Sequence, residues 1–542
     1  MTAAIPHESA WRLGSRSGVR LRAIGSDDAV GLVGASVPAS LVALIGEVAR
    51  RQPDAMALWA PDHALTYAEL QRLIHALGSR IECLAPPGGA VAVLLADDLD
   101  VVVAQLAAAA AGRTCLVINA HHPVERLRTV LADASPGLLI ADRDTLPADL
   151  AGSVPVLFGI STEGWAGNTV PASSAMQAEA CFVYYTSGTT GQPKGYARTQ
   201  ARFLARGASH ACELRLSSGD RVTSLLSAAV GTTATWWTTA FIGGARFSFL
   251  RPDRLGIRGT AAAISAHRPT VLVGIPTVLR LVLSDPAAAS RLTDLRAIYL
   301  VSEPIQRDEL QEWRRMLPPE CDVLLSYGMT EANSIAGWIL PRDLSGQPDR
   351  LPIGYPREDT EFAIVDESGA SVPRGEVGAF WVRGAAVSRG EWRDGRIVRG
   401  RAIPDPSDPD RLILQTNDLM REQPDGLLMF AGRADDMVKV RGNRVQPSEV
   451  EAALRRMPEI ADATVIPIRN ETGGVLAAFI VAAETNSAVL TNETVVRFLR
   501  PLLPGYMIPT RIAVLPSLPR LPNGKPDRQR LLRTLQAGGR EA

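Results

Sequence analysis

The stretch Tyr185-Thr186-Ser187-Gly188-Thr189-Thr190-Gly191-Gln192-Pro193-Lys194-Gly195 decides how this chain is interpreted. It follows Cys181-Phe182-Val183-Tyr184, an apolar and aromatic run with the composition of a buried strand. Glycines let a ligand approach the backbone N–H groups, hydroxyl side chains add donors, and a lysine supplies positive charge for phosphate oxygens. The stretch therefore predicts a loop that binds a polyphosphate.

Two other interpretations of this loop are disfavoured. A P-loop has glycine directly before its lysine and Ser or Thr directly after it. Here Pro193 precedes Lys194 and Gly195 follows it, so that motif does not match. A flexible linker rich in Gly, Ser and Thr has a similar composition. The preceding strand and the single lysine argue against a linker.

The bulk composition excludes several classes of protein. At 542 residues the chain exceeds the size of one core, so two or more domains are expected. Its 46% hydrophobic and 21% charged residues are ordinary for a globular protein. Lys plus Arg and Asp plus Glu each number 57, which gives a formal net charge of zero. No global field therefore attracts the chain to nucleic acid or to an anionic membrane.

The cysteines and the apolar segments indicate a cytoplasmic enzyme. The 5 cysteines are far apart and form no C-x-x-C pair, which predicts buried thiols in a reducing compartment and no zinc site. The most apolar stretch, 101–120, is interrupted by Arg113, so we expect no membrane span. Residues 1–30 lack a charged and then apolar signal pattern.

The order of strand and helix signals predicts an α/β fold. Strand signals at 91–95, 115–118, 137–140 and 154–158 alternate with helix signals, and a second series at 270–274, 297–301 and 322–325 does the same. Such alternation predicts mostly parallel sheets in two related subdomains. Short strands from Glu361 onward predict a small β subdomain. We expect a loosely ordered lead-in over 1–37, a large N-terminal part over 38–434 and an α+β C-terminal domain over 435–542.

Further motifs carry chemistry that suits a nucleotide. Ser326-Tyr327-Gly328-Met329-Thr330-Glu331 offers an aromatic face for a base and a hard oxygen ligand for magnesium. The other segments are 65–70, Thr416-Asn417-Asp418-Leu419, Gly432-Arg433-Ala434-Asp435 with the strand after it, and Pro522-Asn523-Gly524-Lys525. Taken singly, each of these is equally typical of a helix start, a turn or a solvated face.

Together with the loop, these segments resemble, in the same order, the motifs of the adenylate-forming enzymes. This superfamily comprises acyl-CoA synthetases, luciferases and nonribosomal-peptide adenylation domains. The resemblance runs from about Leu41 to Leu531 and is greatest to a stand-alone adenylation domain. Because Ala542 follows Lys525 closely, we expect no carrier domain after it. The resemblance implies a large N-terminal adenylation core of two α/β subdomains plus a small β subdomain, followed by a small mobile C-terminal domain.

The resemblance also implies roles for single residues. Tyr327 would stack on adenine, Asp418 would accept hydrogen bonds from both ribose hydroxyls, and Arg433 would reach the nucleotide. Thr330 would contact the α-phosphate, Glu331 would hold Mg²⁺, and Asp435 would be the hinge. Lys525 would bridge the substrate carboxylate and the α-phosphate. The loop residues that would hold the other phosphates are Thr186, Ser187, Gly188, Thr189, Thr190, Gly191 and Lys194. Catalysis is expected from Lys525, Thr330, Glu331 and Lys194. Asn417 departs from the family, which usually has glycine there.

The implied reaction uses ATP and Mg²⁺ to convert a carboxylic acid into an acyl adenylate with release of pyrophosphate. The acyl group then passes to the phosphopantetheine thiol of a separate carrier protein, in secondary metabolism. Alternatives left open are an acyl- or aryl-CoA ligase, a ligase that uses a nitrogen nucleophile, and a degenerate family member that only binds nucleotide.

The predicted acyl pocket departs from amino-acid-activating relatives, in which an aspartate binds the substrate's α-ammonium. Counting back from Gly243-Gly244-Ala245 places that position at Gly231, and no acid occurs between Asp220 and Asp253. A buried ammonium without a counter-charge costs several kcal/mol. We therefore expect a substrate other than an ordinary α-amino acid. The pocket positions, all neutral, are Gly231, Thr235, Thr277, Tyr299, Val301, Ser326, Ser334 and Ile335.

Overall fold

The computed structural model describes residues 4–14, 38–147, 149–150, 154–160, 181–186, 193–384, 387–434, 437–470, 473–483, 490–519 and 527–538. Its helices are α1 (Leu41–Arg51), α2 (Tyr67–Leu84), α3 (Asp98–Ala110), α4 (Val124–Ala134), α5 (Gln200–Leu214), α6 (Gly231–Ile242), α7 (Pro252–His267), α8 (Pro276–Leu283), α9 (Pro286–Ala289), α10 (Arg307–Met316), α11 (Pro447–Leu454), α12 (Asn492–Leu499) and α13 (Arg528–Gly538). No helix in the described part of the chain combines the length and the apolar composition that a membrane crossing requires.

The strands of the large sheets lie mainly in the first two thirds of the chain. They are β1 (Arg12–Leu13), β2 (Met56–Trp59), β3 (Ala64–Thr66), β4 (Val91–Leu94), β5 (Cys115–Val117), β6 (Leu138–Ala141), β7 (Val156–Phe158), β8 (Cys181–Thr186), β9 (Lys194–Thr199), β10 (Arg221–Ser224), β11 (Arg246–Phe249), β12 (Val271–Gly274), β13 (Ala297–Val301), β14 (Asp322–Met329), β15 (Asn333–Ile339) and β16 (Tyr355–Pro356).

The strands that follow are mostly antiparallel. They are β17 (Glu361–Val365), β18 (Val377–Arg383), β19 (Gly390–Arg393), β20 (Arg396–Val398), β21 (Ile403–Asp405), β22 (Asp408–Glu422), β23 (Leu428–Arg433), β24 (Val438–Val440), β25 (Asn443–Val445), β26 (Ile460–Asn470), β27 (Gly473–Ala482) and β28 (Arg511–Leu515).

The described residues fall into two compact units. The first comprises those within Met1–Ala120, Leu131–Tyr185 and Gly195–Ala434, and the second those within His121–Val130, Thr186–Lys194 and Asp435–Ala542. The predicted α/β class is confirmed. A nine-stranded sheet has the order β16-β15-β14-β13-β12-β10-β11-β2-β3, and an eight-stranded sheet has the order β20-β19-β9-β8-β5-β4-β6-β7. Their central strands pair in parallel, as alternation of strands and helices requires.

Local chemistry explains where the elements of the first unit begin. At α2 the side chain of Thr66 accepts from the Glu69 amide and the Glu69 carboxylate accepts from the Thr66 amide, a capping box.

The core between helices and sheets is aromatic at its centre, where Phe182, Phe203 and Trp237 are fully buried in one cluster. Helices α5 and α6 both contribute to that cluster.

Strand β14 is longer than the sequence predicts, because its end forms a tight hairpin with β15. The pairing shifts at Gly328, where an added Cβ would lie 2.2 Å from the carbonyl oxygen of Asn333. Only glycine allows this close approach. The hairpin fixes Tyr327 in the strand and places Thr330 and Glu331 in the turn that follows.

The six-stranded antiparallel sheet includes two residues of the predicted lead-in. We expected 1–37 to be loosely ordered, but Arg12–Leu13 form β1, which pairs with β17 in this sheet. The guanidinium of Arg12 lies 5.0 Å from the ring centroid of Phe362 and forms an ion pair with Glu422. These contacts order residues that lack an apolar pattern of their own.

The second unit has its own small core. Strands β26 and β27 pair antiparallel, and β28 joins β27 in parallel. Helices α11 and α12 contribute Leu454 and Leu499 to a buried cluster with Val465, Leu476 and Ile480. This is the compact α+β arrangement expected of the C-terminal residues.

One buried carboxylate ties the N-terminal ends of three neighbouring parallel strands. Asp220 precedes β10, and its side chain accepts two hydrogen bonds from Arg296, at 2.8 and 2.9 Å, just before β13. It also accepts from the Thr270 hydroxyl, at 2.8 Å, just before β12. Burial raises the pKa of Asp220, but the hydrogen bonds and charge of Arg296 outweigh it and hold that pKa below its ordinary value.

Replacing Asp220→Ala should lower the free energy of unfolding of the first unit by about 3 kcal/mol, because Arg296 loses its buried counter-charge. All 9 tryptophans precede Ala434, so tryptophan fluorescence during urea unfolding reports on this unit. The matched control is Asp294→Ala, whose carboxylate is 23% exposed beside Arg221, with an expected loss below about 1 kcal/mol. Equal losses for the two variants would contradict this account.

Candidate functional site

The structure describes many, but not all, of the predicted site residues. Tyr327 lies in β14, Thr330 and Glu331 in the turn after it, Asp418 in β22, and Arg433 at the end of β23. Thr186 ends β8 and Lys194 begins β9. The predicted residues outside the described part of the chain are Ser187, Gly188, Thr189, Thr190, Gly191, Asp435 and Lys525.

Tyr327, Asp418 and Arg433 meet in one buried group. The Tyr327 hydroxyl donates to Oδ2 of Asp418, and Nη1 of Arg433 donates to Oδ1 of the same carboxylate. Asp418 faces Arg433 across the β22–β23 pairing and is only 4% exposed. Burial raises the pKa of Tyr327, and the charge of Asp418 raises it further, so the phenol stays protonated and remains a donor. The carboxylate is therefore held rigidly from two sides.

The backbone around Asp418 explains the departure at Asn417. Thr416, Asn417 and Asp418 lie opposite the single residue Phe380, which makes this part of β22 a bulge against β18. The Thr416 hydroxyl donates to the Phe380 carbonyl at 2.8 Å and accepts from the Asp418 amide at 3.1 Å. Asn417 adopts a left-handed φ of 61°, a conformation that asparagine tolerates better than most residues other than glycine. Asparagine can thus replace the usual glycine here.

Arg198 in β9 links two of the predicted functional segments. Its Nε and Nη2 donate to the carbonyl of Thr330 at 3.1 and 2.9 Å, and Nη2 also donates to the carbonyl of Met329 at 3.0 Å. Its Nη1 donates to the carbonyl of Gly231 at 3.4 Å. Arg198 therefore holds the turn after β14 against the first residue of α6. Glu331 is buried next to this turn and lines a cleft with Ser388.

Any side chain at position 231 would press against Tyr184. A Cβ added to Gly231 would lie 3.0 Å from two ring carbons of Tyr184. That ring is buried, and its hydroxyl donates to Oε1 of Gln105 at 2.7 Å, so it cannot move aside freely. The packing of Tyr184 in β8 therefore disfavours a side chain at position 231, including an acidic one.

Arg357 brings three of the predicted pocket positions together. Its Nη2 donates to the Tyr299 hydroxyl at 2.6 Å and its Nε donates to Ser334 Oγ at 2.8 Å. Ser334 and Ser326 share a hydrogen bond of 2.7 Å between their hydroxyls. Arg357 also forms a buried ion pair with Glu213. A largely buried charged pair therefore lies against positions that the sequence marks as neutral.

His210 completes this network on α5. Its Nδ1 lies 3.2 Å from Glu213 Oε2, and its ring stacks on Trp236 with centroids 5.0 Å apart. Burial lowers the pKa of His210 to about 4, and the charge of Arg357 acts in the same direction. Burial raises the pKa of Glu213, but the charge of Arg357 outweighs it, so this carboxyl titrates below its usual range. At neutral pH the network holds one cation and one anion.

The remaining pocket positions do not join this network. The Thr277 amide donates to Glu303 at 2.8 Å, and its hydroxyl accepts from Arg280 at 3.1 Å. Val301 pairs with Ser326 across β13 and β14. Ile335 packs in a separate buried cluster that includes Tyr327. Thr235 is buried in α6, one turn after Gly231.

Sequence reasoning missed Arg198, Arg357, Glu213 and His210. One signal was present for His210, because it shares the buried face of α5 with Phe203, Gly207 and Leu214 at helical spacing. A polar residue on such a face needs a partner. For Arg357 no such signal exists, because its partner Glu213 is far away along the chain.

Comparison with protein families identifies both units. The model described as "AMP-binding enzyme" matches residues 45–392, and the model described as "AMP-binding enzyme C-terminal domain" matches residues 449–525. A plipastatin synthase protein of Bacillus subtilis is 30% identical over 493 residues, which are 88% of this chain and 19% of that protein. The chain thus spans about a fifth of the length of that relative.

Two further similarities support the same assignment. A probable non-canonical nonribosomal peptide synthetase, CymA of Salinispora arenicola, is 31% identical over 516 residues, which are 92% of this chain and 6% of that protein. The solved structure of the amide bond synthetase McbA from Marinactinospora thermotolerans superposes with a TM-score of 0.76 at 25% identity. That match covers 91% of this chain and 99% of McbA.

Lowering the pH from 6.5 to 4 should destabilise the fold through His210. In this window the unfolded chain binds a proton at His210 that the folded chain excludes, so the free energy of unfolding falls as pH falls. Replacing His210→Gln should reduce the slope of stability against pH by about 1.2 kcal/mol per pH unit near pH 5. Urea titrations at several pH values measure it. The exposed His7→Gln serves as the control and should run parallel to the parent. A parallel line for His210→Gln would contradict the assignment.

Proposed function

The chain belongs to the AMP-binding enzyme family, a class of ATP-dependent, AMP-forming ligases, and on this premise we propose that it activates a carboxylic acid as its acyl adenylate. Pyrophosphate is the other product. The acyl group then passes to the phosphopantetheine thiol of a carrier protein, in secondary metabolism. The nonribosomal peptide synthetase named among the similar proteins supports this choice of acceptor.

The buried group of Tyr327, Asp418 and Arg433 carries the proposal. A carboxylate fixed by two donors presents its remaining lone pairs in set directions, which suits the paired hydroxyls of a ribose. The Tyr327 ring belongs to the same group and supplies the aromatic face for adenine. A binding site for a nucleoside is thus the simplest use of this arrangement.

The chemistry follows from the poor reactivity of a carboxylate. Direct displacement at its carbon would expel oxide, whereas attack of its oxygen on the α-phosphorus of ATP expels pyrophosphate and leaves AMP as the later leaving group. The protein must position the reactants and neutralise charge at the α-phosphate. Thr330, Lys194 and Lys525 are the residues proposed for this, and Asp435 is the proposed hinge.

Glu331 fits a magnesium ion. Mg²⁺ is commonly held by one or two carboxylates together with substrate phosphates. Glu331 offers a buried carboxylate, and its charge is felt by Arg198, whose pKa it raises against the effect of burial. When bound, the ion would withdraw charge from the phosphate oxygens, while Glu331 holds it in place.

The substrate proposed here is not an ordinary α-amino acid. Gly231 provides no counter-charge for an ammonium, and a Cβ added there would already lie 3.0 Å from the Tyr184 ring. The first test is exchange of labelled pyrophosphate into ATP with aryl, aliphatic and amino acids supplied singly. Best exchange with a common L-amino acid would contradict the proposal, and no exchange with any acid would overturn the activity itself.

The alternative acceptors are CoA and a nitrogen nucleophile. The amide bond synthetase among the similar structures favours the second of these. Parallel reactions with the best acid distinguish the three acceptors. One reaction contains CoA, one a holo-carrier protein, one its apo form and one an amine. Product formation only with the holo-carrier protein is expected. Product with CoA or the amine would select the corresponding alternative.

Replacing Asp418→Asn should raise the KM for ATP by roughly tenfold to a hundredfold, because the amide cannot accept from both ribose hydroxyls and Arg433 loses its counter-charge. Pyrophosphate exchange at varied ATP measures it. The matched control is Asp425→Asn, an exposed carboxylate in the turn before β23, which should leave the KM unchanged. Equal KM values for the parent and Asp418→Asn would contradict the role of this carboxylate.

A further inference from the structure

Arg198 is a buried cation that lacks a carboxylate partner among the described residues. It is 3% exposed, and all of its hydrogen bonds go to backbone carbonyls, those of Met329, Thr330 and Gly231. Burial lowers its pKa to about 10, so it is still charged at neutral pH. The charge of Glu331 acts on it only from a distance beyond that of an ion pair. A buried charge without a paired anion is costly, so an anionic group of a ligand placed beside it would be stabilised.

Thr235 provides a second, independent sign of a missing ligand. Its Oγ1 is buried and has no hydrogen-bond partner among the described residues, although the residue is only 2% exposed. The neighbouring Thr238 and Thr239 donate to the carbonyls one turn earlier, those of Ala234 and Thr235, at 2.8 and 2.6 Å. The equivalent carbonyl for Thr235 is that of Gly231.

The Gly231 carbonyl connects the two observations. It accepts from Nη1 of Arg198, and the Thr235 hydroxyl forms no hydrogen bond to it. Gly231 and Thr235 are four residues apart and lie on the same face of α6. A cationic donor and an unused hydroxyl are thus present at the first turn of one helix, at two of the predicted acyl-pocket positions.

The other buried charges of the pocket region need no ligand. Arg357 is paired with Glu213, and Arg206 is paired with Asp359. His210 is neutral at physiological pH because burial holds its pKa near 4. These groups balance one another, whereas the hydrogen-bond acceptors of Arg198 are backbone carbonyls.

We propose that Arg198 and Thr235 recognise a second anionic oxygen group on the acid that the enzyme activates, so that the substrate class is the dicarboxylic acids. The proposal rests on the proposed function. An anionic group here pairs with the guanidinium and accepts from the hydroxyl. An ammonium in the same place would add a second cation to Arg198 without a counter-charge. The pocket therefore has the opposite charge preference to one that binds an α-ammonium.

Pairs of acids with the same carbon chain between their two end groups test this preference directly. Succinate and β-alanine, and malonate and glycine, differ in carrying a carboxylate or an ammonium at one end. Pyrophosphate exchange with the whole enzyme should give a kcat/KM at least about tenfold higher for the dicarboxylic member of the pair that fits best.

Variants assign the preference to the two residues. Arg198→Met and Thr235→Val should each reduce kcat/KM for the best dicarboxylic acid by about tenfold or more, and Arg198→Lys should restore part of it. The effect of Thr235→Val on an uncharged acid of similar size and on the KM for ATP should be small. Because Arg198 also holds the turn that carries Thr330 and Glu331, Arg198→Met should lower the rate with both acids, but the loss should be larger for the dicarboxylic acid. Thr238→Val, which removes a helix hydroxyl that donates to the Ala234 carbonyl, is the matched control and should behave as the parent.

The outcomes separate this proposal from the one it rests on. If none of the acids supports pyrophosphate exchange, both the proposed activity and this specificity proposal are overturned. Exchange that favours the amino members, or rates that fall equally with all acids in both Arg198→Met and Thr235→Val, overturns the specificity role alone. Arg198 would then act only on the turn or on a phosphate. If Arg198→Met does not fold, Thr235→Val decides between these results.

Discussion

The buried guanidinium of Arg198 is the interaction on which the geometry of the first unit's site depends. Arg198 belongs to β9 of the eight-stranded sheet, whereas its acceptors lie at the end of β14 in the nine-stranded sheet and at the start of α6. One planar cation with several donors can hold three carbonyls at fixed angles, which no other side chain does. Arg198 therefore holds the turn that carries Thr330 and Glu331 against α6, while the Ser388 amide donates to the Glu331 carbonyl in the same turn.

The buried charged residues of the first unit differ in whether an opposite charge lies beside them. Asp418 with Arg433, and Glu213 with Arg357, are pairs that neutralise themselves and need no further ion. Such pairs fix the orientation of their own side chains and of their hydrogen-bond partners, and they add no net charge to the interior. Arg198 is different, because its acceptors are only dipoles. The contrast separates groups that shape the site from a group that can select the charge of a ligand.

Much of the fold was accessible from sequence, because strand and helix periodicities are local. The strand at 297–301 was predicted with the bounds that the structure shows. The ordering of β1 was not predictable, since Arg12 gains its order from Phe362 and Glu422, which are remote in sequence. The nucleotide motifs were found by their residue order, but the pocket was interpreted as neutral because Arg357 and Arg198 reach it from outside those motifs. Long-range contacts of single polar side chains leave no periodic signal.

The central claim is that this chain joins a carboxylate oxygen to the α-phosphorus of ATP. The direct measurement uses the acid that gives the fastest pyrophosphate exchange, labelled with oxygen-18 at its carboxylate, followed by transfer to the acceptor and mass spectrometry of the nucleotide. An acyl adenylate requires one labelled oxygen to appear in AMP, which is the result predicted here. Unlabelled AMP, or label in inorganic phosphate with formation of ADP, would contradict the account.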